Sequence, residues 1–150
     1  MKRLLQVIGW VLNRIAKTPL NIVARVANLI TPIKHGRVVC WAYNFQQYSC
    51  NPRYVTEYLL KHNPEFEIYW VFRKGVNISE LPKGIKAVRF RTWAYLRLMA
   101  SAEFLLTNAR TDPWRIYWHK REGQKYAMLW HAGVALKRIE ADAADKLSFS

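Results

Sequence analysis

The apolar positions of the first thirty residues follow helical spacing. Within residues 3–16 one helical face carries Leu4, Ile8, Val11 and Ile15. A second pattern follows Thr18-Pro19, where threonine can cap a helix and proline suits its first turn. Its apolar positions are Ile22, Val23, Val26, Leu29 and Ile30. The pattern predicts two consecutive amphipathic helices.

From residue 37 onward, short apolar runs alternate with helical spacing. Residues 31–36 are predicted to be a linker. Strands are predicted at residues 37–43, 67–73, 85–90, 103–107 and 125–130, the third of them half-exposed. One helix is predicted to begin with Asn51 as its cap and Pro52 at its first position. Two more are predicted, at residues 93–100 and from Val134 onward. This alternation indicates an α/β fold, a Rossmann-like, mostly parallel sheet with helices on both faces.

The chain therefore divides into residues 1–34, the basic helices, and residues 35–150, the sheet domain. Its 150 residues suffice for one such domain. A hydrophobic content of 51% and an aromatic content of 14% indicate a packed globular protein rather than a disordered one.

A net charge of +14 implies an anionic partner: a nucleic acid, a membrane surface or a phosphorylated substrate. No apolar run reaches 18 residues, so a transmembrane helix is not expected, and no signal peptide is recognisable. Basic amphipathic helices lie on anionic membranes. The predicted membrane contacts are Lys2, Arg3, Trp10, Arg14, Lys17 and Arg25. Alternatively, these helices cover the core of the domain or of an absent second domain.

The cysteines and histidines indicate neither a disulfide framework nor a metal site. Cys40 and Cys50 are the only cysteines, and the four histidines lack ligand spacing. We therefore expect no metal site and no cofactor, although no motif decides whether a metal is required. The cysteine usage fits a reducing cytosol.

His131 follows the predicted strand at residues 125–130 and precedes a helical pattern. In open α/β sheets, ligands bind at the carboxyl ends of strands, so His131 is a candidate for catalysis. Gly133 permits a tight turn, and Lys137 and Arg138 with the first helical amides could bind a phosphate. Alternatively, these are a structural turn and a solvated helix face.

Asn108 and Arg110 directly follow the strand at residues 103–107, which places them on the same rim as His131. An amide and a guanidinium there could hold a hydroxyl and a phosphate. Asn51 and Arg53, at the start of the next predicted helix, are also predicted to bind substrate or phosphate, because Arg53 opposes the helix dipole unless an anion binds beside it. An ordinary turn and an ordinary exposed arginine are the alternatives. The aromatic and basic residues 114–121 suit either an acceptor or lipid contact or an irregular cover for the sheet.

Four segments together resemble the CDP-glycerol glycerophosphotransferase family, which builds teichoic acids and related polymers. They are Ser49-Cys-Asn51-Pro52-Arg53, Tyr69-Trp-Val-Phe72, Leu106-Thr-Asn108-Ala-Arg110 and the segment from His131 to Asp142. The resemblance spans roughly residues 37–145. Ala132 and Ala135 depart from the family pattern, which indicates a stiffer loop.

The resemblance implies the N-terminal, acceptor-side domain of a GT-B type transferase. Such an enzyme would move glycerol phosphate from CDP-glycerol, or a similar CDP-polyol, to a membrane-linked polyol-phosphate or glycan acceptor, in teichoic-acid-like or capsule polymer synthesis. His131 would be the general base, and Arg53, Arg110, Lys137 and Arg138 would stabilise phosphate charge.

The expected location is the cytoplasmic face of the cell membrane. Because the family's nucleotide-binding domain is absent from these 150 residues, we expect the chain alone to be inactive or nearly so. The alternatives are a peripheral membrane protein without catalysis and a basic nucleic-acid-binding module. No nucleic-acid motif is present, so nucleic acid is not an expected partner.

Overall fold

The computed structural model describes the backbone of residues 2–130 and the side chains of Gln6 and residues 11–130. The helices are α1 (Lys2–Ile30), α2 (Cys50–His62) and α3 (Trp93–Ser101), and Tyr43–Phe45 form a short 3₁₀ turn. The strands are β1 (Lys34–Trp41), β2 (Glu67–Phe72), β3 (Lys86–Arg89), β4 (Ala102–Thr107) and β5 (Lys125–Met128).

The five strands form one sheet in the order β3-β2-β1-β4-β5, and every pairing is parallel. Val38 of β1 pairs with Ile68 of β2 on one side and with Phe104 of β4 on the other. Along the chain, β2 and β3 are added on one side of β1, and β4 and β5 are then added on its other side. The predicted Rossmann-like parallel sheet is confirmed, and the gap between the ends of β1 and β4 is its topological switch point.

Both faces of the sheet are buried, which explains the nearly continuous apolar sequence of the central strands. One face packs with α3 through Val39, Trp41, Val71, Leu105, Tyr95 and Met99. The other packs with α2 through Val38, Cys40, Ile68, Trp70, Val55 and Leu59. Burial raises the pKa of the Cys40 thiol, so this cysteine behaves as a core residue.

The predicted starts of β1 and α2 were wrong. β1 begins at Lys34, where the linker was predicted, because Lys34 pairs with Ala102 and its Nζ lies 2.7 Å from Glu67 Oε1. Helix α2 begins at Cys50 with the extended Ser49 as its N-cap residue, not with Asn51 as the cap. The Asn51 side chain instead binds the chain at the end of β5.

The prediction of two N-terminal helices was also wrong, because α1 is continuous with Pro19 inside it. The Thr18 hydroxyl donates to Arg14 O at 2.9 Å, and Asn21 Nδ2 donates to Lys17 O at 3.0 Å. Both accepting carbonyls lie in the helical turn that precedes the proline. The apolar face also continues across Pro19, so one long helix keeps a single amphipathic surface.

The small and polar side of α1 faces the sheet domain, and its apolar side faces outward. Asn21, Ala24 and Ala27 are buried. Ile22 is 56% exposed and Leu29 is 85% exposed, on the opposite side. The domain core is therefore not covered by the apolar stripe of the helix. In the described part of the chain, no helix combines the length and apolar content needed to cross a bilayer.

Candidate functional site

The turn after β1 forms the centre of the candidate site. Tyr43, Asn44 and Phe45 have successive φ angles of 42°, 59° and 70°, a left-handed conformation that residues other than glycine rarely adopt. Tyr43 N donates to Asn108 Oδ1 at 3.0 Å, and Arg73 Nε donates to Asn44 O at 2.9 Å. Neighbouring strand ends therefore hold this turn in place, and strain of this kind often accompanies functional sites.

A basic cleft opens between this turn and the end of β4, at the topological switch point. Its volume is about 590 Å³, and it is lined by Trp41, Asn44, Thr107, Ala109, Arg110, Thr111, Asp112, Pro113, Arg115 and Ile116. Arg115 Nε lies 3.7 Å from Asp112 Oδ2, a loose contact between two largely exposed side chains. Such a pair contributes little stability, so Arg115 can turn to an anionic ligand at small cost.

The structure brings Arg110 into this cleft, as the sequence predicted for the rim, but places Asn108 beneath it. Asn108 is fully buried, and its Oδ1 accepts a hydrogen bond from the backbone amide of Tyr43. The side chain therefore holds the left-handed turn. Substrate contact by Asn108 or Arg110 stays a prediction.

Asn51 ties the start of α2 to the end of β5. Its Nδ2 donates to Leu129 O at 2.7 Å and to Trp130 O at 3.2 Å, while Cys50 Sγ lies 3.8 Å from Trp130 O. Leu129 N also donates to Thr107 O at 2.7 Å. The described chain thus reaches the carboxyl edge of the sheet directly before His131, with its backbone fixed by two neighbouring elements.

Arg53 lies on the first turn of α2 and pairs along its own helix. Its Nε donates to Glu57 Oε1 at 2.8 Å, and its guanidinium carbon lies 5.3 Å from the centre of the Tyr48 ring. The pairing with Glu57 raises the pKa of Arg53. The side chain is 43% exposed, and anion binding by it stays a prediction.

The remaining predicted site residues, His131, Gly133, Lys137 and Arg138, lie outside the described residues. So do the side chains of Lys2, Arg3 and Trp10. Of the other predicted membrane contacts, the Arg14 guanidinium lies 5.0 Å from the Trp114 ring, Lys17 is partly buried and Arg25 is exposed. Burial, and then the charge of Arg25, lower the pKa of His119.

Sequence reasoning missed two parts of the site. Asn44 was the only signal of the left-handed turn, since asparagine adopts positive φ more readily than most residues. Arg115 lies in the segment 114–121, whose role was left open. In the structure its residues Ile116, Tyr117 and Trp118 are buried against the sheet, while Arg115 lines the cleft. Residues 114–121 therefore cover the core, and one of them also borders the site.

Among the described residues, no three His, Cys, Asp or Glu side chains gather closely enough to hold a metal ion. The site consists instead of guanidinium, amide and backbone groups. Such groups bind phosphates and hydroxyls directly.

The fold and the cleft define an α/β domain with an open, basic cleft at its topological switch point. The sequence of residues 23–149 matches the model of the CDP-glycerol:poly(glycerophosphate) glycerophosphotransferase family. The chain therefore belongs to this family, and the resemblance recognised in its motifs is confirmed.

Teichoic acid poly(glycerol phosphate) polymerases are among its relatives. The Bacillus subtilis (strain 168) protein is 34% identical over 111 residues, 74% of this chain and 14% of the relative. The Staphylococcus epidermidis (RP62A) protein is 30% identical over 110 residues, 73% of this chain and 15% of the relative. The chain thus spans about a seventh of the length of these relatives.

A solved structure of a variant of the wall teichoic acid polymerase TagF has a similar fold. It superimposes with a TM-score of 0.67 at 25% identity, covering 87% of this chain and 34% of that chain. The predicted fold class, a Rossmann-like domain of a GT-B type transferase, is confirmed.

Proposed function

We propose that this chain is the acceptor-side domain of a glycerophosphate transferase. The transferase would move glycerol phosphate from CDP-glycerol, or a similar CDP-polyol, to a membrane-linked polyol-phosphate or glycan acceptor during teichoic-acid-like or capsule polymer synthesis. The observation that carries this proposal is the basic cleft at the switch point, beside the edge from which the chain continues to His131. Family membership supports it.

In the proposed reaction, the terminal hydroxyl of the acceptor attacks the donor phosphorus that carries glycerol. A new phosphorus–oxygen bond forms, the bond from phosphorus to CMP breaks, and CMP leaves. His131 accepts the hydroxyl proton. Neutral imidazole suits this role because its ordinary pKa lies close to neutral pH.

Arg110 and Arg115 would hold phosphate groups of the acceptor in the basic cleft. Guanidinium groups bind phosphate oxygens in pairs, which fixes orientation as well as charge. The cleft opens beside the Tyr43–Phe45 turn, so a phosphate held there would leave the next hydroxyl of the acceptor near the carboxyl edge. Fixing the attacking group in this way lowers the entropic barrier to reaction.

The proposed location is the cytoplasmic face of the cell membrane, and helix α1 supports attachment to a membrane surface. Its outward side presents Ile15, Ile22, Val26 and Leu29, all exposed. Arg14 and Arg25 are also exposed and lie beside this apolar stripe. Apolar insertion with basic residues at the flank is the pattern of peripheral attachment to anionic lipid, each cation adding about 1 kcal/mol.

The test is transfer of labelled glycerol phosphate from CDP-glycerol to a lipid-linked acceptor, with the chain fused to a nucleotide-binding domain from the family. We expect His131→Ala to lower the rate about 10²–10⁴-fold, the usual contribution of a positioned base. His62→Ala is the matched control, because His62 is exposed on α2 and stacks on Tyr58.

Unchanged transfer by His131→Ala would remove the base assignment. No transfer by any version of the fusion, with vesicle binding retained, would instead favour a peripheral membrane protein without catalysis. Salt-sensitive RNA binding without lipid binding would favour the nucleic-acid alternative.

A further inference from the structure

A second cleft lies on the opposite side of the Tyr43–Phe45 turn from the basic cleft. It opens between residues 46–49, which follow the turn, and the end of β2 with the segment after it, and its volume is about 320 Å³. We call it the neutral cleft. Its lining residues are Gln46, Gln47, Tyr48, Ser49, Phe72, Asn77, Ile78, Glu80 and Leu81.

The charge of the neutral cleft contrasts with that of the whole chain. Within the described chain, the residues lining this cleft include no Lys or Arg and one carboxylate, Glu80, although the chain carries a net charge of +14. Two neighbouring cations are held by other groups of the protein. Arg53 pairs with Glu57 and lies 5.3 Å from the ring centre of the lining residue Tyr48, and Arg73 Nε donates to Asn44 O. A phosphate in this cleft would meet a carboxylate and no lining cation.

The cleft has an apolar floor and a polar wall. Phe72 is buried at its base, and Ile78 and Leu81 are partly buried beside it. Gln46, Gln47, Asn77 and Glu80 are exposed around it. Side-chain amides both donate and accept hydrogen bonds, as hydroxyl groups do. An apolar surface with a few polar groups at its border is typical of small-molecule sites.

Hydrogen bonds within the protein hold the neutral cleft in shape. Trp70 Nε1 donates to Gln47 O at 3.2 Å, and Ser49 Oγ donates to Gln47 Oε1 at 3.2 Å. Ser79 N donates to Asn77 Oδ1 at 3.0 Å. Burial raises the pKa of Tyr48 to about 12, so its phenol stays protonated at neutral pH. The site is therefore formed before any ligand arrives, which reduces the entropy lost on binding.

We infer that the neutral cleft binds an uncharged, hydroxyl-rich ligand, either a glycerol unit or a sugar ring. The C–H faces of the ligand would pack on the floor formed by Phe72, Ile78 and Leu81. Its hydroxyls would exchange hydrogen bonds with Gln46 and Asn77 and donate to Glu80. This inference concerns binding alone and does not depend on the transfer reaction proposed above.

The experiment is an NMR titration of the ¹⁵N-labelled chain with N-acetylglucosamine, glycerol and glycerol 3-phosphate in separate arms. The reporters are the Trp70 indole N–H and the side-chain amides of Gln46, Gln47 and Asn77. We expect one of the two neutral ligands to shift these signals with a Kd on the order of 1 mM. Which of them does so distinguishes a sugar ring from a glycerol unit.

Two variants test the assignment. Gln46→Ala removes an exposed amide, and Asn77→Asp keeps the acceptor for Ser79 N but removes the amide donors. We expect each to weaken neutral-ligand binding about tenfold, a typical loss for a bound polar group. Lys61→Ala, on the exposed side of α2, is the control and should bind unchanged.

Two results would overturn the inference. One is that neither of the two neutral ligands shifts the signals of these reporters. The other is an equal or larger response of the same reporters to glycerol 3-phosphate, since a site without a lining cation should disfavour that anion.

Discussion

Glu67 is a residue whose ionised carboxylate links two strands of the sheet. It accepts from Lys34 Nζ at 2.7 Å and from Arg37 Nη2 at 2.9 Å, both on β1, while it begins β2 itself. The bond from Lys34 first, and then that from Arg37, lower the pKa of Glu67 from 4.5 to about 2. The carboxylate form is therefore favoured by folding, and its contribution depends on pH.

We predict that Glu67→Gln lowers the free energy of unfolding by about 1 kcal/mol at pH 7. Because the folded pKa lies below the unfolded one, the wild-type advantage is complete above pH 4.5. It should shrink as the pH falls towards about 2. Urea unfolding at several pH values measures this, with Glu65→Gln as an exposed control. A difference between wild type and variant that stays constant down to pH 2 would contradict the assignment.

Helix α1 depends on polar bonds to the segment that borders the basic cleft. Asn21 Nδ2 donates to Trp114 O at 3.1 Å, and Asn28 Nδ2 donates to His119 O at 2.9 Å. His119 Nε2 donates to Asn21 Oδ1 at 3.0 Å. The Arg121 guanidinium donates to Asn28 O and Thr31 O, at the end of α1, and at 2.8 Å to Ala100 O of α3. The helix is thus an integral part of the domain.

Substitutions at two adjacent residues of α1 should separate its contribution to stability from its proposed binding to membranes. Asn21 is 1% exposed, so Asn21→Ala should lower the free energy of unfolding by about 1–3 kcal/mol through buried groups left unbonded. Ile22→Ser, on the outward face, should change stability by about 0.5 kcal/mol or less but weaken binding to anionic vesicles. Thermal unfolding and vesicle sedimentation measure the two effects. Vesicle binding that Ile22→Ser leaves unchanged would argue against the proposed membrane face.

The sequence predicted the strands well because parallel strands buried on both faces carry continuous apolar runs. It failed at Pro19, because the bonds from Thr18 and Asn21 that accompany a proline inside a helix leave no periodic signal. The hydrophobic pattern also located the apolar side of α1, but it could not show whether that side contacts the domain. Only the tertiary contacts show that this side faces away from the domain.

For the site, strand order placed Arg110 on the correct rim, because the carboxyl ends of parallel strands lie together. The role of Asn51 could not be predicted. Its partners, Leu129 O and Trp130 O, lie far away along the chain, and they are backbone groups with no sequence signature. The left-handed turn likewise depends on Asn108 and Arg73, which act from other strands.

At the scale of the whole molecule, a charge of +14 attracts any anionic polymer, so specific binding must be separated from general attraction. The basic cleft and the neutral cleft flank one turn and differ in charge. This arrangement would suit the acceptor proposed above, in which phosphate and hydroxyl groups alternate, whereas a uniformly charged surface would not distinguish the two kinds of group.

We predict that Arg115→Gln weakens binding of poly(glycerol phosphate) oligomers about tenfold, the value of one charge-assisted hydrogen bond. Lys61→Gln removes the same charge from exposed α2 and should have a much smaller effect. Titrations at low and high salt make the comparison, because added salt screens exposed charges beyond about 10 Å at 0.1 M. Equal losses in the two variants would mean that net charge, not the cleft, governs binding.

The position of β1 at the centre of the sheet also constrains how this protein is made. Val38 has Ile68 as one neighbour and Phe104 as the other, so a ribosome must release the chain through β4 before β1 is enclosed on both edges. Pairings between such distant residues form slowly. During that interval the nascent chain carries unpaired strand edges and the apolar stripe of α1 together, which is the state most prone to aggregation. Early capture of α1 by a lipid surface during translation would shield part of that exposed surface while the sheet is completed.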